Sequence, residues 1–92
     1  MKGFVYPALF IKDKEEQIYR VLFPDLGLTT DGAFVEEAFL YAKEALRAYF
    51  VYVEKYELDF NMPSEFEPLR KCCKPNELVM LIDADVTKKD LQ

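Results

Sequence analysis

From Val35 onward the apolar residues recur at Val35, Ala38, Ala42, Leu46, Tyr49 and Val53, in steps of three or four that stack on one face of a helix. Ala45 and Tyr56 widen that face, while Glu36, Glu37, Lys43, Glu44, Arg47, Glu54 and Lys55 hold the opposite side. A helix with a single apolar stripe must cover something, so a sheet is expected beneath it.

The remaining periodicity is that of strands. Residues 3–11 (GFVYPALFI) alternate two faces, Phe4, Tyr6, Ala8 and Phe10 against Val5, Pro7, Leu9 and Ile11. Both faces are apolar, which predicts a strand covered on both sides or meeting another subunit. Pro7 has no N–H for a ladder, so one side of the strand should be unpaired or bulged there. The charged residues 12–16 read as a hairpin loop. Residues 17–23 (QIYRVLF) return as the antiparallel partner, with Tyr19, Val21 and Phe23 on one face and Ile18, Arg20 and Leu22 on a wetter one. Residues 26–31 make a short third strand between Gly27 and Gly32.

The helix entry is irregular. Ala33 and Phe34 stand where Ser, Thr, Asp or Asn would cap Val35. Asp31 is the nearest capping side chain, Glu36 and Glu37 favour the positive helix start, and burial of Phe34 is expected to offset the missing cap. Toward its end the helix turns apolar all round, through Ala48, Tyr49, Phe50, Val51, Tyr52 and Val53. Leu40, Phe50 and Val51 are assigned to the side otherwise held by charges. Either the loop that follows folds over them, or they form a protein interface. Residues 58–76 contain three prolines and no steady period. They predict a loop with at most one helical turn at 64–70, capped by Ser64 with Glu67 three residues on. Residues 77–83 (ELVMLID) are a fourth strand, and residues 84–92 a polar tail. The expected fold class is α+β: one small domain, an antiparallel three-stranded meander, one long helix and a further strand.

Composition narrows the function. Ninety-two residues leave room for one domain, and 51% hydrophobic content with eight Phe and six Tyr supplies a core. A net charge of −5 and a pI near 4.7 argue against nucleic-acid binding. The longest basic grouping, Arg70, Lys71 and Lys74, is short. An acidic surface suits a basic protein partner, and is also ordinary for a cytosolic domain. Met1-Lys2 leads into a strand pattern without a signal-like apolar run, and no segment approaches bilayer-spanning length, so a cytoplasmic location without membrane contact is expected. Adjacent Cys72 and Cys73 suit neither a zinc site nor a structural disulfide and read as reduced thiols.

Catalytic signatures are missing. The chain has no His, no phosphate-binding glycine motif and no nucleophile elbow. Cys72 has no His to activate it. A two-metal site needs acids on the ends of neighbouring strands, but the first strand has none, leaving Asp25, Asp31, Glu36, Glu37, Asp83 and Asp85 as turn, cap and surface residues. No enzyme activity, cofactor or metal is expected, and a residual metal-dependent nuclease is the weakest reading.

The segment from residue 19 to 56 resembles the HicB family of antitoxins from type II toxin–antitoxin modules. The resemblance rests on Phe23-Pro24-Asp25-Leu26, Gly27, Thr30-Asp31-Gly32, Glu36-Glu37-Ala38 and Ala42-Lys43-Glu44-Ala45-Leu46 in that order. Met62-Pro63-Ser64 and Leu81-Ile82-Asp83-Ala84-Asp85 extend it to about Val86. The family's Pro-Gly-Cys is shortened here to Gly27, its capping Thr is Phe34, and its usual C-terminal DNA-binding segment has no counterpart.

The resemblance implies a truncated ribonuclease-H-like fold without the nuclease's acids. One domain over 1–92 is expected, with a core of about 3–86 and, as a departure from the family, no C-terminal DNA-binding domain. The resemblance also implies a role: binding a small, basic, RNA-cleaving toxin of the HicA type and covering its active surface, as a homodimer or higher oligomer. The alternative is an orphan HicB-like homo-oligomeric domain without a toxin. Interface candidates are Leu40, Phe50 and Val51 on the helix, and Asp25, Leu28 and Asp31 in and after the turn.

Overall fold

Strand β1 (Lys2–Asp13) runs through the middle of the sheet. It pairs antiparallel with β2 (Ile18–Phe23) on one side and with β4 (Glu77–Val86) on the other, and β3 (Leu28–Gly32) lies beyond β2. The order is β3-β2-β1-β4. The long helix α1 (Val35–Tyr56) covers one face, a short α2 (Phe66–Lys71) follows, and a 3₁₀ turn spans Lys88–Leu91. The structure is a computed structural model that describes residues 2–91. Met1 and Gln92, where the expected lead-in starts and the expected tail ends, lie outside the described residues. The meander, single long helix and returning strand are those the pattern predicts, with β4 returning beside β1 rather than extending the meander.

Pairing of β1 with β2 runs only from Leu9↔Leu22 to Asp13↔Ile18, whereas pairing with β4 covers Lys2↔Val86 to Ile11↔Glu77. Pro7 therefore falls where the β2 side of β1 is unpaired, as expected of a residue with no N–H to donate. Strand alternation then builds the core. Tyr6, Ala8 and Phe10 of β1, Val21 and Phe23 of β2, and Ile82, Ala84 and Val86 of β4 are buried with Ala38, Ala42, Leu46, Phe50 and Val53 of α1. The opposite face holds Pro7 and Val79, both buried, beside half-exposed Val5 and Leu81, and α2 packs against β4.

Small residues let the helix approach. A Cβ on Gly32 would lie 2.4 Å from the Ala38 backbone nitrogen, so only glycine permits this closeness of β3 and α1. At the other end of α1 an aromatic cluster closes the core. Phe4 stacks on Phe50 with centroids 3.8 Å apart, and Phe60 meets Phe50 edge-on at 5.0 Å.

Several expectations are corrected. Phe50 is fully buried and belongs to the core, because it follows Leu46 by four residues and so shares its face. Residue Phe60 of the following loop covers its edge. Strand β4 runs on to Val86, since Ile82, Ala84 and Val86 alternate with Asp83 and Asp85; the tail begins only after them. Phe34 is the N-cap with no side-chain bond and is 53% exposed, so its burial offsets nothing. Asp31 does not cap α1; Glu37 Oε1 instead accepts the Ala33 N–H at 3.0 Å. Ser64 does not cap α2, whose N-cap is Glu65.

Candidate protein-binding surface

The turn after β2 is built by Pro24, which ends the strand, and by Gly27, whose φ of 68° lies in the left-handed region. The N–H groups of Leu26 and Gly27 both donate to the Phe23 carbonyl, at 3.2 and 2.9 Å. The turn holds Asp25 toward the segment after α1. Its carboxylate accepts the Ser64 N–H at 2.9 Å and the Ser64 hydroxyl. Its carbonyl accepts the Asn61 amide at 2.9 Å, and the Asn61 carbonyl accepts the Tyr6 hydroxyl at 2.6 Å. Burial pushes the Tyr6 pKa up, and the charges of Asp25 and Tyr49 push it further. Asp25 is thus engaged within its own chain, fastening the loop across the open end of the sheet.

The other sequence candidates do not gather into one patch. Leu28 is half-buried against the core. Asp31 is exposed on the face turned away from α1, opposite Arg20, whose guanidinium goes to Asp13 at 3.1 Å. Val51 is half-buried against the core. Leu40, in contrast, is 60% exposed. With Val35, Glu36, Phe39 and Met80 it lines an open, almost wholly apolar groove of about 370 Å³ between α1 and β4.

A second exposed surface was missed in the sequence. Tyr41, Ala45, Ala48, Tyr52 and Tyr56 recur at helical spacing, and all three tyrosines are exposed, with the Tyr52 and Tyr56 rings 4.7 Å apart. The signal is a second stripe beside the core stripe; Tyr56, expected to widen the core face, is 56% exposed and belongs to this second stripe. Met62, just beyond α1, is the most exposed large apolar residue described.

The charged groups form pairs. Lys43 reaches Asp83 at 3.4 Å and Arg47 bridges to Asp90. The Asp90 carboxyl is held below the usual carboxylate range chiefly by the Thr87 N–H, with Arg47 adding to the effect. These residues line a shallow depression of mixed sign, suited to neither an isolated anion nor a cation. Among the described residues, no three Cys, Asp or Glu side chains gather where a metal ion could be held. Cys72 and Cys73 are free thiols, Cys73 donating to the Leu69 carbonyl at 3.4 Å. Among the described residues no helix is long and apolar enough to cross a membrane.

Two solved structures share this architecture. One belongs to a toxin–antitoxin complex from Streptococcus pneumoniae, with a TM-score of 0.77 at 20% identity over 91% of this chain and 70% of that one. The other is the N-terminal domain of the Burkholderia pseudomallei antitoxin HicB, with a TM-score of 0.72 at 18% identity over 90% of this chain and 100% of that one. No family model matches the sequence, and neither does any curated protein. At these identities the likeness is one of fold: the β-β-β-α-β chain described above has the architecture of a HicB N-terminal domain.

Proposed function

We propose that this chain is an antitoxin-type binding module. It neutralises a small, basic, HicA-like RNA-cleaving toxin by covering the toxin's active surface, in the cytoplasm and without catalysis of its own. The observation that carries this reading is the likeness to the HicB N-terminal domain across nine-tenths of the chain. The surface chemistry supports it. Exposed Tyr41, Tyr52 and Tyr56 are amphipathic contact residues of the kind enriched at interfaces, and the net charge of −5 favours a basic partner.

The reading requires a small basic protein encoded beside this gene, and the test is co-expression with that protein. That protein alone should arrest growth and cleave RNA, and this chain should relieve both and co-purify with it. Replacing Tyr52 and Tyr56 with Asp should weaken the complex without unfolding the chain. Absence of relief and of binding would defeat the proposal and favour an orphan homo-oligomeric domain.

A further inference from the structure

Strand β4 is an edge of the sheet, pairing with β1 alone. Its outward backbone groups can be read from the register. The Lys12 N–H donates to the Asn76 carbonyl at 3.0 Å, in line with β4. Donors alternate along a strand, so the even-numbered residues of β1 bond toward β4 and the odd-numbered ones face away. Pro7, which has no N–H, is one of those facing away. Since even positions of β1 oppose even positions of β4, the N–H and C=O groups of Val79, Leu81, Asp83 and Asp85 are turned to the open edge. Unpaired edge groups are a template for another strand.

The side chains along this edge are sorted as well. Leu78 and Met80 lie on the α1 side, where the apolar groove with Val35, Phe39 and Leu40 opens beside them. Asp83 and Asp85 lie on the other side, both exposed, after Leu81, which is 51% exposed. Lys43 is taken up by Asp83 and Arg47 by Asp90. Glu44 and Asp85 in the same depression, and Glu36 at the groove, leave the surplus charge negative.

We propose that this edge takes an extended segment of another protein in which apolar residues alternate with Lys or Arg. The segment adds antiparallel to β4 as a fifth strand of the sheet. Its apolar side chains enter the groove against Leu40, Leu78 and Met80, and its basic ones oppose Asp83 and Asp85. Main-chain bonds supply affinity, and the alternation supplies selection, because an acidic segment would set carboxylate against carboxylate. The site is separate from the tyrosine stripe. At 3.6 residues per turn, Tyr41, Tyr52 and Tyr56 lie about 100–160° around α1 from Leu40. The edge therefore does not depend on the toxin reading, and either can fail without the other.

Fluorescence anisotropy tests the proposal, with a labelled nine-residue peptide of alternating arginine and valine titrated with the full chain at about 0.15 M salt. This peptide should bind at least about tenfold more tightly than one with glutamate in place of arginine. Leu81→Pro removes an outward N–H and no bond to β1, so it should keep its circular dichroism and weaken binding about tenfold. Binding of neither peptide, or equal binding of both, overturns the proposal, as does a folded Leu81→Pro variant that binds like wild type. Should Leu81→Pro unfold, methylation of the peptide's own nitrogens decides. The arginine N–H groups face β4 in this pairing and the valine N–H groups face away. Methylating the arginine nitrogens should therefore abolish binding and methylating the valine nitrogens should not; equal affinity of the two forms overturns the strand pairing.

Discussion

Asp25 and Ser64 stand 39 residues apart and are joined by two hydrogen bonds to one carboxylate. Asp25 sits in the turn that leaves β2, and Ser64 in the segment that leaves α1 for α2. With Asn61 on the Asp25 carbonyl, the pair ties that segment across the end of the sheet, where Phe60 closes over Phe50. Asp25→Ala should cost about 1–2 kcal/mol, the net worth of two solvent-accessible hydrogen bonds. The cost should appear as faster proteolysis at residues 57–65 as well as a lower Tm. Ser64→Ala keeps the backbone bond and should cost less. Equal proteolysis of Asp25→Ala and wild type would show that the tie does not hold the segment.

Phe50 and Leu40 make a matched pair on α1, one fully buried and the other mostly exposed. Phe50→Ala leaves a cavity under Phe4, Tyr6 and Phe60 and should cost about 3–5 kcal/mol. A domain of this size has about 5–15 kcal/mol in total, so Phe50→Asp should not fold. Leu40→Ala should change stability by less than about 0.5 kcal/mol. Urea unfolding of the two alanine variants checks this, and similar midpoints would contradict the assignment of Phe50 to the core.

These two residues also show what the sequence could convey. Alternation marks β1, β2 and most of β4 as strands, and Arg20 marks the wet face of β2, but β1 and the first half of β4 are apolar on both sides and do not declare which side meets the helix. The end of β4 alternates plainly in Ile82-Asp83-Ala84-Asp85-Val86, although residues 84–92 taken together look polar enough for a tail. The helix was harder. Its second half is apolar all round, so its neighbours give Phe50 no contrast, and only the four-residue step from Leu46 marks it as core. The ties of Asp25 to Ser64 and Tyr6 to Asn61 join distant segments and leave no local trace. The tyrosine stripe is visible as a second helical spacing on α1, whereas the edge groove needs the strand order that sets β4 beside β1.

The start of α1 contains a correctable defect. Phe34 occupies the N-cap with extended backbone, φ −144° and ψ 169°, and makes no capping bond. Glu37 stands at the third helical position, where a capping box has its acid. Phe34→Thr should complete a Thr-x-x-Glu box and satisfy a helix N–H now left without a side-chain acceptor. The expected gain is about 1 kcal/mol, or a Tm rise of about 4–8 °C for a domain of this length. Since the exposed Phe34 ring contributes little packing, a fall in Tm would mean that it is needed for contacts elsewhere.

Tyr6 is a source of alkali sensitivity in the fold. Its folded-state pKa lies above the ordinary value of about 10, chiefly because its ring is desolvated, so the folded protein holds the phenol proton more tightly than the unfolded chain does. The stabilisation is complete below pH ~10 and is lost as pH rises through the raised value. In acid the sign reverses. Asp13, held low first by the Glu16 N–H and then by Arg20, and Glu67, held low by Arg70, contribute stability above the ordinary carboxylate range, and it is lost as pH falls through their lowered values. With no histidine in the chain, no imidazole titrates between these limits. Tm should therefore be level from about pH 5 to 8 and fall at both ends. Tyr6→Phe cannot ionise, so it should lower the plateau through loss of the bond to Asn61 while flattening the alkaline descent. Thermal melts of the two proteins across the pH range measure this directly. An alkaline descent of the same steepness in Tyr6→Phe would show that the buried phenol is not its cause.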